Sequence, residues 1–254
     1  MKQIDIPNIF ALTIDLEWAP EFAIKKVVDF LVEKKVKCTW FITHDSKEMR
    51  KLFLYPEFFE IGVHPNFLPN TTQGKNEDEI ISNLLKIAPN AVSFRTHALY
   101  QHDYMYQKII EKYNFKNDSS VILNDSPHIV PHKLCYSKGG KQLIRLPLIW
   151  EDDFNCYDNN AKWEFSEKTW SFPGLKIFDF HPLYLYLNIN SMDGYEELKK
   201  QKDISKLSVE DVEPYINKEK GDWDFFAGFV DFLSKRKTYT IAKISEMYEK
   251  GELK

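Results

Sequence analysis

"NIFALTIDLEWAPEFAIKKVVDFLVEKKVKCTWFIT", residues 8–43, decides the fold class. NIFALTIDLE is an apolar run of strand length, continuous rather than alternating. EFAIKKVVDFLVEKK then carries Phe22, Val27 and Leu31 at helical spacing, with lysines between them and Pro20 near its start. VKCTWFIT is apolar and strand-like again. Strands with no polar alternation have both faces covered, and strand–helix–strand built from them means parallel pairing.

The alternation continues outward from this unit. DSKEMRKLFL (45–54) reads as a short helix capped by Asp45 or Ser46, and FEIGVH (59–64) as a third strand. NEDEIISNLLKIA (76–88) is an acidic-started helix, AVSFRTH (91–97) a fourth strand and DYMYQKIIEKY (103–113) a helix. KNDSSVIL (116–123), QLIRLPLIWED (142–152) and LKIFDFHPLYLYLN (175–188) read as further strands. WDFFAGFVDFLSKRK (223–237) is an amphipathic helix, and TYTIAKISEMYEK (238–250) a last strand and helix. The expectation is an α/β protein: a distorted or incomplete (β/α) barrel of seven to eight mostly parallel strands, one domain over 1–254 with an irregular, lysine-rich insertion around 188–220.

A 43% hydrophobic, 15% aromatic chain of 254 residues has ample core. Its net charge of −4 and scattered lysines give no electrostatic case for nucleic acid or anionic membrane. No apolar run reaches the roughly 18 residues of a membrane span. The early Asp5 and the lack of a long apolar stretch near Met1 argue against a signal peptide. Three cysteines, Cys38, Cys135 and Cys156, form no CxxC pair and leave an odd thiol under any pairing, which fits a reducing compartment. A cytoplasmic protein is expected.

In a parallel barrel the working groups gather at the C-terminal strand ends. Those ends hold Asp15 and Glu17, then His64, Arg95 with His97, Asp152 with Asp153, and Asp179 with His181. Carboxylate, imidazole and guanidinium so concentrated suit a borderline divalent ion such as Zn²⁺, with a second carboxylate as general base and a histidine as general acid. Such an ion lowers the pKa of bound water and polarises a carbonyl, the outline of metal-assisted amide or ester hydrolysis. Plainer roles stand beside these. Arg95 could pair with Asp15 and Glu17 structurally, His64 could be a hydrogen-bonded wall residue and His181 structural before Pro182. Asp152 and Asp153 could form a solvated loop. Trp150 could be core or a sugar contact, and His44, His102, His128 and His132 read as surface or loop residues.

These residues resemble the polysaccharide deacetylases of the NodB-homology group, the family four carbohydrate esterases. LTIDLEW looks like their T-F-D-D motif, EIGVHPNFL like E-I-G-N-H-T-x-x-H, and FRTHALY sits where they have R-x-P-x-G. YNFKNDSSVIL is similar to their G-F-x-Y-D-S-S strand, and FDFHP stands where a late strand delivers the catalytic histidine. The resemblance covers about residues 9–185 in order and implies a distorted barrel that removes acyl groups with a divalent metal. HPNFLP, RTHALY, PLIWEDD and FHPLYLYLN resemble a narrower branch, the WbmS-like deacetylases associated with O-antigen and capsule biosynthesis.

The departures sharpen the expectation. Leu16 stands where the metal-binding Asp would be, with Glu17 one position later; Leu68 replaces the second histidine; and His97 takes the Pro position of the third motif. The resemblance then implies Glu17, His64 and His97 as ligands, Asp15 as base, Arg95 as its orienter, His181 as acid, and Trp150, Asp152 and Asp153 at the substrate. The substrate would be an amino sugar, a nucleotide sugar or a glycan intermediate losing an N-acyl group. The alternatives are an inactive, carbohydrate-binding protein that kept the barrel, motivated by Leu16 and Leu68, and a C–N hydrolase of non-sugar amides.

Overall fold

The computed structural model describes residues 8–136, 140–158 and 160–253, so the segment around Asp5 lies outside the described residues. All seven residues of β1 (Ile9–Asp15) are buried, as a strand covered on both faces must be. Its pleat sends Thr13 and Asp15 to the concave side and Phe10 to the outer one. The first half follows as β1, α1 (Glu21–Lys34), β2 (Cys38–Ile42), α2 (Lys47–Lys51), β3 (Phe59–Val63), α3 (Glu77–Ile87), β4 (Ser93–Phe94), α4 (Asp103–Lys112) and β5 (Asn117–Asp118). Ser46 caps α2 and Asn76 caps α3 with side-chain oxygens.

The second half holds β6 (His132–Leu134), β7 (Leu143–Arg145), β8 (Trp150–Glu151), α5 (Asp152–Cys156), β9 (Leu175–Phe180) and α6 (Pro182–Leu187). The short helices α7 (Asp193–Gln201) and α8 (Val209–Val212) follow, then α9 (Asp222–Ser234) and α10 (Ile241–Glu249). Among the described residues the nine strands form one sheet in the order β6-β7-β5-β4-β3-β2-β1-β9-β8. Only β6 runs antiparallel to its neighbour; the remaining pairs are parallel. This is the expected distorted (β/α) barrel, curled into a half-barrel.

Aromatic packing covers the outer face. Phe178 meets Phe229 of α9 at 4.3 Å between ring centroids, and Phe10 meets Phe232 at 4.8 Å. The concave side is polar at its lower end. Thr39 Oγ1 donates to Glu60 (2.9 Å), Ser93 Oγ also donates to Glu60, and Asn117 Nδ2 donates to Ser93 (2.9 Å). The N-terminus of α10 closes this layer: Ile241 N–H donates to Thr39 Oγ1 (2.9 Å) and Ala242 N–H to Glu60 (2.8 Å). One orphan helix donor thus meets a threonine hydroxyl and the other the half-buried Glu60 carboxylate.

Local strand expectations needed correction where a tighter device took over. Residues 238–240 are not a strand, because Thr240 caps α10. The FHPLYLYLN segment turns into a helix after Phe180, since Pro182 at the first helical position loses nothing by lacking an N–H. AVSFRTH pairs only at Ser93 and Phe94, so Arg95 and His97 are not on one strand face. Glu17 likewise lies beyond β1, with a left-handed φ of 42°.

Gly62 shows how closely the interior is filled. A Cβ there would lie 2.7 Å from Phe41 Cδ1 and 2.9 Å from the Ser93 carbonyl oxygen. Phe41 in turn supports the Arg95 guanidinium, 4.5 Å from the ring centroid. Gly62→Ala is expected to lower stability by about 1–3 kcal/mol in denaturant unfolding; an unchanged midpoint would show that the sheet yields there at no cost.

Candidate functional site

Glu17, His64 and His97 come from three separate strand ends, and the structure brings them together. His64 Nε2 donates to Glu17 Oε1 at 2.7 Å, and His97 Nδ1 donates to the same oxygen at 2.6 Å. One donor atom from each of the three lies within 4.8 Å of the others. Backbone turns make this possible. Leu16 goes into the core, fully buried, and Glu17 and Trp18 take left-handed φ values of 42° and 51°, swinging the Glu17 carboxylate back over the strand ends. Ala98 and Leu99 (φ 53° and 49°) do the same after His97. Non-glycine residues pay roughly 1–2 kcal/mol each for that conformation, and paired occurrences point to a position held for its side chain.

Burial alone would raise the Glu17 carboxyl, but the hydrogen bonds from His64 and His97 outweigh it and hold it well below the usual carboxylate range. Burial disfavours the His64 imidazolium, yet Asp15 and Glu17 together raise its pKa. Two imidazole nitrogens and a carboxylate oxygen converging this closely fit a divalent ion of the Zn²⁺ kind with open positions left over. The other His64 nitrogen, Nδ1, makes no hydrogen bond and faces Asp15 Oδ2 at 3.4 Å.

Arg95 organises the floor beneath. Its guanidinium is fully buried and donates to Asp15 Oδ1 (2.8 Å), Asp179, Thr13 Oγ1 (3.0 Å), Ser119 Oγ (3.1 Å) and the Ser119 carbonyl (3.0 Å). Burial raises the Asp15 pKa to about 6 even though Arg95 pulls it down. The neighbouring group Asp15, Glu151, Asp179 and His181 is also drawn within 4.8 Å, and Arg95 and His181 supply its positive charge.

His181 is gripped by Asp152, which accepts from the ring Nδ1 (2.6 Å) and from the backbone N–H (2.8 Å). Burial opposes the imidazolium, but Asp152 with Asp179 and Asp153 raises its pKa well above the ordinary value. Asp152 therefore does not belong to a solvated loop; it is fully buried in the first turn of α5 and turned to His181 rather than outward. Burial lifts Asp153 to about 6. Trp150 lies away from the Glu17 donor set and lines a separate cleft with Asn124, Asp125 and Phe154. The pleat that aims Glu151 inward aims Trp150 outward, where it stacks on Phe225 at 4.4 Å. Glu151, pushed well up by burial and by Asp153, was not singled out as a site residue from sequence. Only its register beside Asp179 in the folded sheet finds it, since β8 is two residues long. A cleft of about 350 Å³ opens beside Glu17 and His97, lined also by Trp18, Asn66, Tyr195 and Lys199. No helix among the described residues is long and apolar enough to cross a membrane.

A curled parallel sheet carrying this strand-end constellation is the architecture of a polysaccharide deacetylase. The chain belongs to the WbmS-like polysaccharide deacetylases, whose family profile matches residues 12–199. By that membership it is an enzyme of the carbohydrate deacetylase class. Among solved structures it is similar to WbmS of Bordetella bronchiseptica, described as a candidate polysaccharide deacetylase involved in O-antigen biosynthesis. The two are 26% identical, with a TM-score of 0.76 over 90% of this chain and 92% of that one. A family four esterase domain of a xylanase from the Trinervitermes trinervoides hindgut metagenome is 15% identical, with a TM-score of 0.43 over 96% and 92% of the two chains. A mutant of a family four pseudoenzyme with restored activity is also 15% identical, with a TM-score of 0.45 over 95% and 68%. At that distance neither carries an inference about this chain. No curated protein matches the sequence.

The Arg95 arrangement has a direct consequence for stability. Arg95→Met would leave the Asp15 and Asp179 carboxylates buried without their cation, and a loss of about 3–5 kcal/mol is expected. A loss below about 1 kcal/mol in chemical denaturation would show that the pair is not held by charge.

Proposed function

We propose that this protein is a metal-dependent hydrolase, a single domain over 1–254, that removes an N-acyl group, an acetyl in the simplest case, from an amino sugar. That sugar would be free, nucleotide-linked or part of a glycan intermediate of O-antigen or capsule type. Family membership and the likeness to WbmS support the substrate class. Three free cysteines support a cytoplasmic setting. The observation that carries the reading is the pairing of an acid and a base, Asp15 and His181, beside the Glu17–His64–His97 donor set.

Glu17, His64 and His97 would hold the ion, which when bound polarises an acyl carbonyl and acidifies water. Asp15, oriented by Arg95 and raised only to about 6, is ionised at neutral pH and takes the proton of the attacking water. His181 has its Nδ1 committed to Asp152, which leaves Nε2 to deliver a proton to the departing nitrogen as the C–N bond breaks. Its raised pKa keeps it protonated for that step. Base and acid thus have opposite protonation states at one pH, set by their surroundings. The cleft beside Glu17 and His97, with Trp18, Asn66 and Tyr195, offers aromatic and polar contacts suited to a sugar.

Assay on an N-acetylated amino sugar or its nucleotide conjugate tests this. Asp15→Asn is expected to lower kcat by about 10²- to 10⁴-fold, and full activity in that variant would remove Asp15 as the base. The base is active when ionised, so the rate rises with pH through the Asp15 value of about 6. Because Arg95 lowers that value, Arg95→Lys, which loses the planar fork, is expected to move the ascending limb of kcat/KM to higher pH. A limb that stays in place or moves down would separate Arg95 from the titration.

A further inference from the structure

Behind the His181–Asp152 pair lies a third carboxyl that the proposed reaction does not use. Asp222, at the start of α9, is fully buried, and neither of its oxygens has a hydrogen-bond donor. The first turns of α9 pack on the neighbours of this pair, Phe225 on Trp150 at 4.4 Å and Phe226 on Phe180 at 5.0 Å between ring centroids, and after burial Asp152 is the group that bears most on the Asp222 carboxyl. Two carboxylates cannot bond to each other unless one holds a proton. Asp152 accepts two hydrogen bonds from His181, which favour its charged form. Asp222 accepts none, so the proton belongs there. A helix N-terminus would ordinarily favour a charge. However, the Asp222 N–H is spent on the Ile189 carbonyl (2.8 Å), and Asp224, not Asp222, receives the Gly221 N–H (3.0 Å).

We propose that Asp222 is a proton-holding positioning residue, whose carboxyl O–H donates to Asp152 and so shares the carboxylate that grips His181. The groups facing it are Asp152, Asp153 and Cys156 from α5, His181 from the β9–α6 junction and Lys26 from α1. Lys26 does not neutralise it by contact; its Nζ lies over the Trp223 ring, 3.8 Å from the centroid. The protonated Asp222 has a specific use. Asp152, Asp153 and Asp179 already raise the His181 pKa well above its ordinary value. A fourth full charge would hold the proton so firmly that the imidazolium could not give it up, whereas a neutral donor drains charge from Asp152 and eases its release. This function of Asp222 rests on the deacylase reading; the location of its proton does not.

The test is an NMR pH titration of the His181 ring in the full-length, Zn²⁺-loaded protein, compared with Asp222→Asn and Asp222→Leu, each checked for folding by its amide spectrum. Asparagine keeps a donor toward Asp152, so His181 is expected to titrate within about half a unit of the parent value. Leucine removes the donor, concentrates charge on Asp152 and shifts His181 upward. If Asp222 is instead ionised, Asp222→Asn removes a full negative charge and lowers the His181 pKa by about one unit or more, which overturns the proposal. Should the leucine variant not fold, the asparagine result alone decides. The ring titrates whether or not the protein hydrolyses an amide, so a failed activity assay and a failed titration remain separate outcomes.

Discussion

One guanidinium holds the centre of this molecule. Arg95 sits fully buried past the end of β4 and reaches Asp15 on β1, Asp179 on β9, Thr13 on β1 and Ser119 beyond β5. A buried arginine is tolerable only when its donors and its charge are satisfied, and carboxylates in the same interior only when a cation is present. Each group therefore requires the others. The strand ends that converge on Arg95 also position Asp15 and, just above it, the clustered donor atoms of Glu17, His64 and His97. Gly62 and Phe41 serve the same end, one by leaving room and the other by presenting its ring to the cation.

The upper layer is built by bending backbone rather than by ordinary strand geometry. The hydrophobic Leu16 occupies a position where the pleat makes a side chain core, so the next residue must turn back to reach the site. Left-handed pairs at Glu17–Trp18 and Ala98–Leu99 provide that turn. The Trp18 N–H is secured on Thr43 Oγ1 (3.0 Å) and the His97 N–H on the Pro65 carbonyl (3.0 Å), so the unusual conformations are anchored by hydrogen bonds at both places. Strain of this kind persists where surrounding structure fixes it, and it concentrates at sites of function.

Much of this was legible in the sequence, for identifiable reasons. Continuous apolar runs at Ile9–Asp15 and Cys38–Ile42 with an amphipathic helix between them leave few alternatives to a parallel sheet, and strand-end chemistry followed from that. That Glu17 and His97 gather beside His64 was an expectation drawn from the family resemblance, because leucine cannot ligate at positions 16 and 68. What escaped depended on tertiary surroundings. Trp150 and Glu151 differ only in which way the pleat aims them, and a two-residue strand gives too little alternation to decide. The sequence left Asp152 open between a solvated loop and a substrate contact; only the fold shows His181 lying over it. Asp222 looks like any acid opening a helix until packing seals it beside Asp152. TYTIA has β-forming residues, but a threonine positioned to cap a helix outweighed them.

The proposed ligand set requires that Glu17, His64 and His97 share one ion. Crystals of the full chain grown with Zn²⁺, measured on both sides of the zinc absorption edge, test it most directly. An anomalous peak is expected about 2.0–2.2 Å from Glu17 Oε1, His64 Nε2 and His97 Nδ1. A zinc-saturated crystal with no peak there, or with its peak among Asp15, Glu151, Asp179 and His181 instead, would contradict it.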